Sequence, residues 1–377
     1  MSRRAGASPG GSSYLLLHHA SAKGSGMPTL FDPIRLGAIE ARNRIIMAPL
    51  TRARATRAAV PVPIMAEYYA QRASAGLIIS EATGISRAGL GWPHAPGIWN
   101  EEQVAAWRPV TDAVHAAGGR IVSQLWHMGR VVHPSVSGQQ PVSASAITAP
   151  DLAMTYEGDQ PYTEPRPLRI DEVPALLDDY ARAARNAIAA GFDGVQIHAA
   201  NGYLIDQFLR DSSNRRTDIY GGSIENRTRL LGEVTRAVVD AVGAERTGVR
   251  LSPNGVIQGV DDSDPEPLFT AAAALLSDIG IAFLEIREPS GLDHPPVGPA
   301  MRRAFDGPFI VNAGYDAAGA QAALDSGAAD AVSFGKPFIA NPDLPQRFSK
   351  GLPILRADVA TFYAQGPEGY IDYPSAA

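Results

Sequence analysis

Short apolar runs recur along the chain, separated by longer stretches in which hydrophobic residues return every three or four positions. Eight such runs cover 44–50, 77–83, 120–127, 194–200, 247–253, 281–289, 308–314 and 331–337. Several have a nearly continuous apolar centre, as in Arg44-Ile-Ile-Met-Ala-Pro49 and Pro308-Phe-Ile-Val311. A strand with one wet face alternates, so continuity predicts parallel strands covered on both faces. The helical segments between them carry end signals. Glu101 to Ala117 opens with acids and stops before Gly118-Gly119, and Val173 to Ala190 stops at Gly191. Ser223 precedes a stripe of Leu230, Leu231, Val234, Val238 and Val242, and Asp316 is placed as an N-cap after the seventh strand. Eight strands alternating with helices predict an α/β fold of the (β/α)8 TIM-barrel type. A doubly wound sheet competes, but its first strand–turn–helix unit would need a Gly-x-Gly-x-x-Gly that is not there.

Two segments break the alternation. Thr29 to Ala41 precedes the first strand and predicts a hairpin capping the bottom of the barrel. Met128 to Ile170 is a long Pro-, Ser- and Gly-rich insertion after strand three, a position that overlies the active-site mouth of a barrel.

Composition narrows the function classes. The chain has 377 residues, 45% of them hydrophobic, enough for one large barrel spanning 27–377. Residues 1–26 are rich in Ser, Gly and Ala, and their only apolar run is Tyr14-Leu-Leu-Leu17. That run falls short of the roughly 7–15 apolar residues of a secretory signal. It reads as a disordered tail, a vector-derived remnant or an upstream start, with Met27 the functional beginning. A net charge of −6 argues against nucleic-acid or anionic-membrane partners. No apolar run approaches the ~20 residues of a membrane span. A cytoplasmic enzyme acting on small molecules, as monomer or homodimer, is expected. The absence of cysteine removes disulfides, iron–sulfur clusters and thiol catalysis.

The polar residues at the predicted strand ends carry the chemistry. His198 and Asn201 are two hydrogen-bond donors three positions apart, and Tyr203 adds an acid of pKa ~10. That trio suits a carbonyl-conjugated system that gains negative charge and then a proton. Gln124, inside an apolar strand, needs either a planar ring with a donor–acceptor edge or an ordinary interior hydrogen bond to the backbone. Arg250 needs either a bound anion or an ion pair, with Glu285 the nearest candidate. Ala313, Gly314 and Gly335 offer backbone N–H groups after strands seven and eight, and Lys336 adds a cation. This is the usual phosphate position of the fold, although a plain glycine turn would look similar. Lys336, one of three lysines, could instead form a Schiff base in a class I aldolase. His94, His115, His127, His133 and His294 lack metal-ligand spacing and read as structural, so no metal is expected. Asp261, Asp262 and Asp264 read as a solvated loop and N-cap, and Asp218 with Gly221-Gly222 as a turn.

Taken together, these segments resemble the Old Yellow Enzyme family of FMN-dependent ene-reductases, from about Leu30 to Pro374. The resemblance rests on Met47-Ala-Pro-Leu-Thr-Arg52, 67–83, Gln124-Leu-Trp-His127, His198-Ala-Ala-Asn-Gly-Tyr-Leu204, Asn226-Arg-Thr-Arg229, Arg250-Leu-Ser-Pro253, 335–343 and Gly369-Tyr-Ile-Asp-Tyr-Pro374. It implies non-covalent FMN, with NADPH or NADH exchanging hydride in a ping-pong reduction of activated alkenes. Thr51 would meet the flavin C4 carbonyl, and Pro49, Leu50 and Ala82 would line the ring. Gln124 would meet the pyrimidine edge and Arg250 the N1–O2 side. Ala313, Gly314, Gly335 and Lys336 would hold the phosphate, with Phe362 beside the dimethylbenzene end. His198 and Asn201 would hold the substrate oxygen, Tyr203 would give the proton, and Trp92, Trp126 and Tyr363 would shape the pocket. The chain departs from many members in having Lys336 for Arg and Trp92 for Tyr. It has Thr51 rather than Cys and Asn201 rather than His. A non-catalytic flavin-binding barrel would leave the donor pair and phenol without a role.

Overall fold

The computed structural model describes residues 27–289 and 295–376. The hairpin of β1 (Ile34–Leu36) and β2 (Ile39–Ala41) is antiparallel, as predicted. Then come β3 (Ile45–Met47), β4 (Ile78–Gly84) and β5 (Ile121–Trp126). The insertion carries β6 (Val142–Ser143), β7 (Leu152–Thr155), β8 (Gly158–Pro161) and β9 (Arg166–Pro167) in two small sheets of their own. The chain returns to the barrel with β10 (Gly194–His198), β11 (Thr247–Leu251), β12 (Phe283–Arg287), β13 (Phe309–Asn312) and β14 (Ala331–Phe334). The eight barrel strands are parallel and close in the order β3-β4-β5-β10-β11-β12-β13-β14. Seven of the eight predicted runs contain one of them, and the run 77–83 covers all of β4 but Gly84.

Apolar side chains pack on both sides of this wall. Outside, the helices Glu101–Ala116, Val173–Ala189, Ile224–Val242 and Pro265–Ile279 bury their stripes against the strands. Inside and at the bottom, Leu36, Ile39 and Ala41 of the hairpin meet Ile46, Ile79, Val122, Phe283 and Ile310. The bottom is therefore sealed by side chains, and polar groups can converge only at the opposite, C-terminal end of the strands.

Ser223 and Asp316 cap their helices, accepting from the Asn226 and Gly319 amides. The acidic run at 261–264 differs from its reading. Asp262 is buried and pairs with Arg227, and Asp264 stands at the start of Pro265–Ile279 without a side-chain cap bond. The burial follows from Arg227, whose guanidinium needs a counter-charge once its helix packs. Residues 1–26 and His294 lie outside the described residues.

Candidate active site

β10 delivers His198 at its last position, and the next turn is rigid. Asn201 takes φ +58, an uncommon backbone for a residue with a side chain. Its amide donates to Ser252 Oγ at 2.8 Å, and the Gly202 amide donates to Asp206 Oδ2 at 2.9 Å. Asp206 is locked in turn by Arg210 at 2.8 Å. Only glycine suits position 202, since φ is +76 and a Cβ would lie 2.6 Å from the Ile257 carbonyl. Two backbone turns thus hold His198, Asn201 and Tyr203 at fixed offsets.

His198 is fully enclosed, which lowers its pKa well below 6.5, and Arg250 lowers it further. Its Nδ1 accepts the Ala200 amide at 3.4 Å. That contact assigns the proton to Nε2, so the ring is a neutral donor. Burial raises the Tyr203 phenol, helped by Tyr162 and Tyr363, and keeps it protonated at neutral pH. Its ring stands edge-on to both Trp126 (5.0 Å) and His198 (4.8 Å).

These groups share one cavity. Pro49, Thr51, Ala82, Gln124, Trp126, His198, Asn201, Tyr203 and Arg250 line a space of about 90 Å³. It adjoins a larger one of about 540 Å³ through Pro49, Asn201 and Arg250. The larger space is bounded by Leu50, Arg287, Ala313, Gly314, Gly335 and Lys336, among others. A small polar chamber and a longer trough meet at one strand-end face, within the size range of small-molecule sites.

Between them runs a directed chain of buried hydrogen bonds. Arg250 pairs with Glu285 at 2.6 Å and donates to Asn312 Oδ1 at 2.9 Å. Glu285 also accepts Ser333 Oγ–H at 2.5 Å and the Gln196 amide at 2.7 Å. The Gln124 amide then donates to Gln196 Oε1 at 2.7 Å. An ionised carboxylate can only accept, so Glu285 fixes both amides in one sense. Gln124 Oε1 is left as an acceptor with no partner among the described residues. The ion-pair alternative for Arg250 is thus realised, whereas the Gln124 amide donates to the Gln196 side chain rather than to backbone, and both residues still line the cavity. Gln196 and Asn312 complete the chain; Asn312 stands at the polar end of the seventh run, whereas Gln196 carries no signal of its own in sequence. Gln196 stands inside an apolar run, where one polar residue is easily passed over.

At the far end of the trough, Ala313 and Gly314 have φ +97 and +84. The amides of Ala313, Gly314 and Gly335 donate to none of the described residues. Lys336 is exposed beside them. A Schiff-base lysine needs a desolvated pocket, and exposure at the rim denies it one. Other unpaired buried groups at the mouth are Asn201 Oδ1 and the indole N–H groups of Trp92 and Trp126. A flat ring with polar edges and an anionic tail fits this pattern of acceptor, donors and open amides.

The remaining predicted residues stand at the rim. Trp92 packs on Tyr363 at 5.1 Å, and Tyr363 on Phe362 at 6.4 Å. Phe362 lines a neighbouring space of about 380 Å³ that shares Lys336 and Pro337 with the trough. Arg52 and Arg54 hold this C-terminal segment by its carbonyls, both donating to Phe362 O. Tyr162, from the insertion, joins the aromatic wall with Trp92, Trp99 and Tyr203, and burial raises its phenol to about 12. Nothing in the local sequence around Tyr162 signals that placement.

A closed (β/α)8 barrel gathers His198, Asn201, Tyr203 and an amide-lined trough at one face, and the family model that the chain matches is one of flavin-dependent oxidoreductases. The chain matches the model of the NADH:flavin oxidoreductase / NADH oxidase family over residues 29–354. It belongs to that family, the Old Yellow Enzyme family, and is an FMN- and NAD(P)H-dependent reductase. It is 47% identical over 368 residues to chanoclavine-I aldehyde reductase fgaOx3 of Penicillium roqueforti, covering 93% of this chain and 97% of that protein. It is 45% identical over 372 residues to 12-oxophytodienoate reductase 1 of rice, Oryza sativa subsp. japonica, covering 94% and 96%. The structure of an old yellow enzyme homologue from Zymomonas mobilis is 62% identical, with a TM-score of 0.91 over 92% of this chain and 99% of that one. Morphinone reductase in complex with tetrahydroNAD is 48% identical, with a TM-score of 0.89 over 93% and 98%. No helix among the described residues is long and apolar enough to cross a membrane.

Proposed function

We propose that the protein reduces the C=C bond of α,β-unsaturated ketones, aldehydes, imides or nitroalkenes. The reading is supported most by one observation: His198, at the end of β10, and Asn201 and Tyr203, in the turn after it, line one cavity. Bound FMN supplies two-electron hydride chemistry, with NADPH or NADH as the source. Pro49, Leu50, Thr51 and Ala82 would flank its ring, Gln124 and Arg250 its polar edge. Ala313, Gly314, Gly335 and Lys336 would hold its phosphate.

His198 and Asn201 donate to the oxygen that activates the alkene. As hydride reaches the β-carbon, charge collects on that oxygen, and two fixed donors stabilise it without reorganising. Tyr203 gives its proton to the α-carbon and recovers one from solvent. Trp126, with Trp92 and Tyr363 at the rim, excludes water and orients the alkene. Relatives named as aldehyde and 12-oxophytodienoate reductases fit conjugated carbonyl substrates.

The test is an anaerobic titration of the purified protein. Its yellow colour is expected to bleach with NADPH and return stoichiometrically with cyclohexenone, yielding cyclohexanone. Bleaching without return in the presence of enones and nitroalkenes would contradict the proposal.

A further inference from the structure

Arg287 is a strand-end residue of the trough whose guanidinium has no partner among the described residues. It ends β12, two positions after Glu285, so the period of two aims both side chains to the same, inner face. Its register partner on β13 is Asn312, immediately before Ala313 and Gly314. It lines the same 540 Å³ trough as those residues, Gly335 and Lys336. Its Nη1 is buried, and none of the described residues accepts a bond from its guanidinium. The described carboxylates beside it on the chain, Glu285 and Glu288, are engaged elsewhere. Glu285 holds Arg250, Gln196 and Ser333. Glu288 accepts from Asn254, Val297 and Gly298. A half-buried cation with no counter-charge among the described residues, beside a second cation, is costly unless an anion completes it. Burial and Arg250 both press its pKa downward, as expected of a cation kept waiting for one.

We infer that Arg287 is a phosphate ligand of the cofactor, supplying from β12 the guanidinium fork that Lys336 cannot provide from the loop after β14. Lys336 is a point charge on a flexible, exposed stem, whereas a guanidinium can meet two phosphate oxygens at once. Three open amides, one ammonium and one guanidinium then surround the phosphate from three successive strand ends. The inference rests on the proposed placement of the phosphate at Ala313–Lys336.

The experiment titrates the flavin-free, full-length protein with FMN and with riboflavin, following the quenching of flavin fluorescence. Riboflavin lacks the phosphate, so the ratio of the two dissociation constants isolates that contact. Arg287→Gln is expected to weaken FMN binding at least tenfold and leave riboflavin binding unchanged, with Arg287→Lys in between. Retained riboflavin affinity also shows that the variant is folded. Equal weakening of both flavins, or no change in either, overturns the inference. Lys336→Gln separates the two layers of the argument. If wild-type protein prefers FMN and Lys336→Gln narrows the preference but Arg287→Gln does not, Arg287 alone is misassigned. If wild-type protein binds FMN no better than riboflavin, the phosphate placement itself fails.

Discussion

Single residues carry the chemistry through their protonation states, and these make checkable claims. Burial keeps His198 neutral, so alkene reduction should show no ionisation near pH 6.5 from this ring. Tyr203→Phe removes the acid but keeps the ring, and should slow product formation by ~10²–10⁴ in single turnover while flavin reduction by NADPH is unchanged. His127 tests the link between burial and stability. Its pKa falls from 6.5 to about 4 through desolvation alone. The unfolded chain binds this proton more tightly, so His127 disfavours the fold as pH falls from 6.5 toward 4. Urea unfolding should lose on the order of 2 kcal/mol between pH 7 and pH 5 through this group, and His127→Gln should flatten that slope. Glu81 works with the opposite sign. Burial raises it to about 6, so its cost to the fold grows as pH rises from 4.5 through 6.

Elements position those residues, and here much was legible in sequence. Parallel barrel strands are buried on both faces, so their apolar runs stand out, and the groups at their ends follow in order. What escaped was contact between elements distant in the chain. Gln196 and Glu285 are 89 residues apart and meet only because β10, β11 and β12 are neighbours in the closed wall. Tyr162 reaches the aromatic wall from an insertion whose path no periodicity describes. Asp262 looked solvated because its partner Arg227 lies 35 residues away on another element. The amide chain gives a prediction at this scale. Glu285→Gln replaces an obligate acceptor with a group that can also donate, so Gln196 and Gln124 are free to turn over. FMN affinity should fall about tenfold, the equivalent of ~1.4 kcal/mol or one well-placed hydrogen bond, read as flavin released on dilution. Unchanged affinity would show that the sense of the chain is irrelevant.

At the scale of the molecule, the barrel separates stability from function by placing them at opposite ends. The hairpin's Leu36 is fully buried in a cluster with side chains of six barrel strands. Leu36→Ala should cost ~2–5 kcal/mol in urea unfolding yet leave alkene reduction by the folded fraction intact. The opposite end bears the strained Asn201 and Ala313 backbones, the orphaned donors and the trough, because function needs groups that folding alone does not satisfy. The central claim is that the His198–Asn201 pair grips the oxygen of an activated alkene. Anaerobically reduced protein can be reoxidised by cyclohexenone or, separately, by molecular oxygen, which needs no carbonyl grip. In stopped-flow experiments His198→Ala should slow reoxidation by cyclohexenone by ~10²–10³ and leave reoxidation by oxygen within a few-fold of wild type. Equal slowing with both oxidants, or none with the enone, would contradict the account.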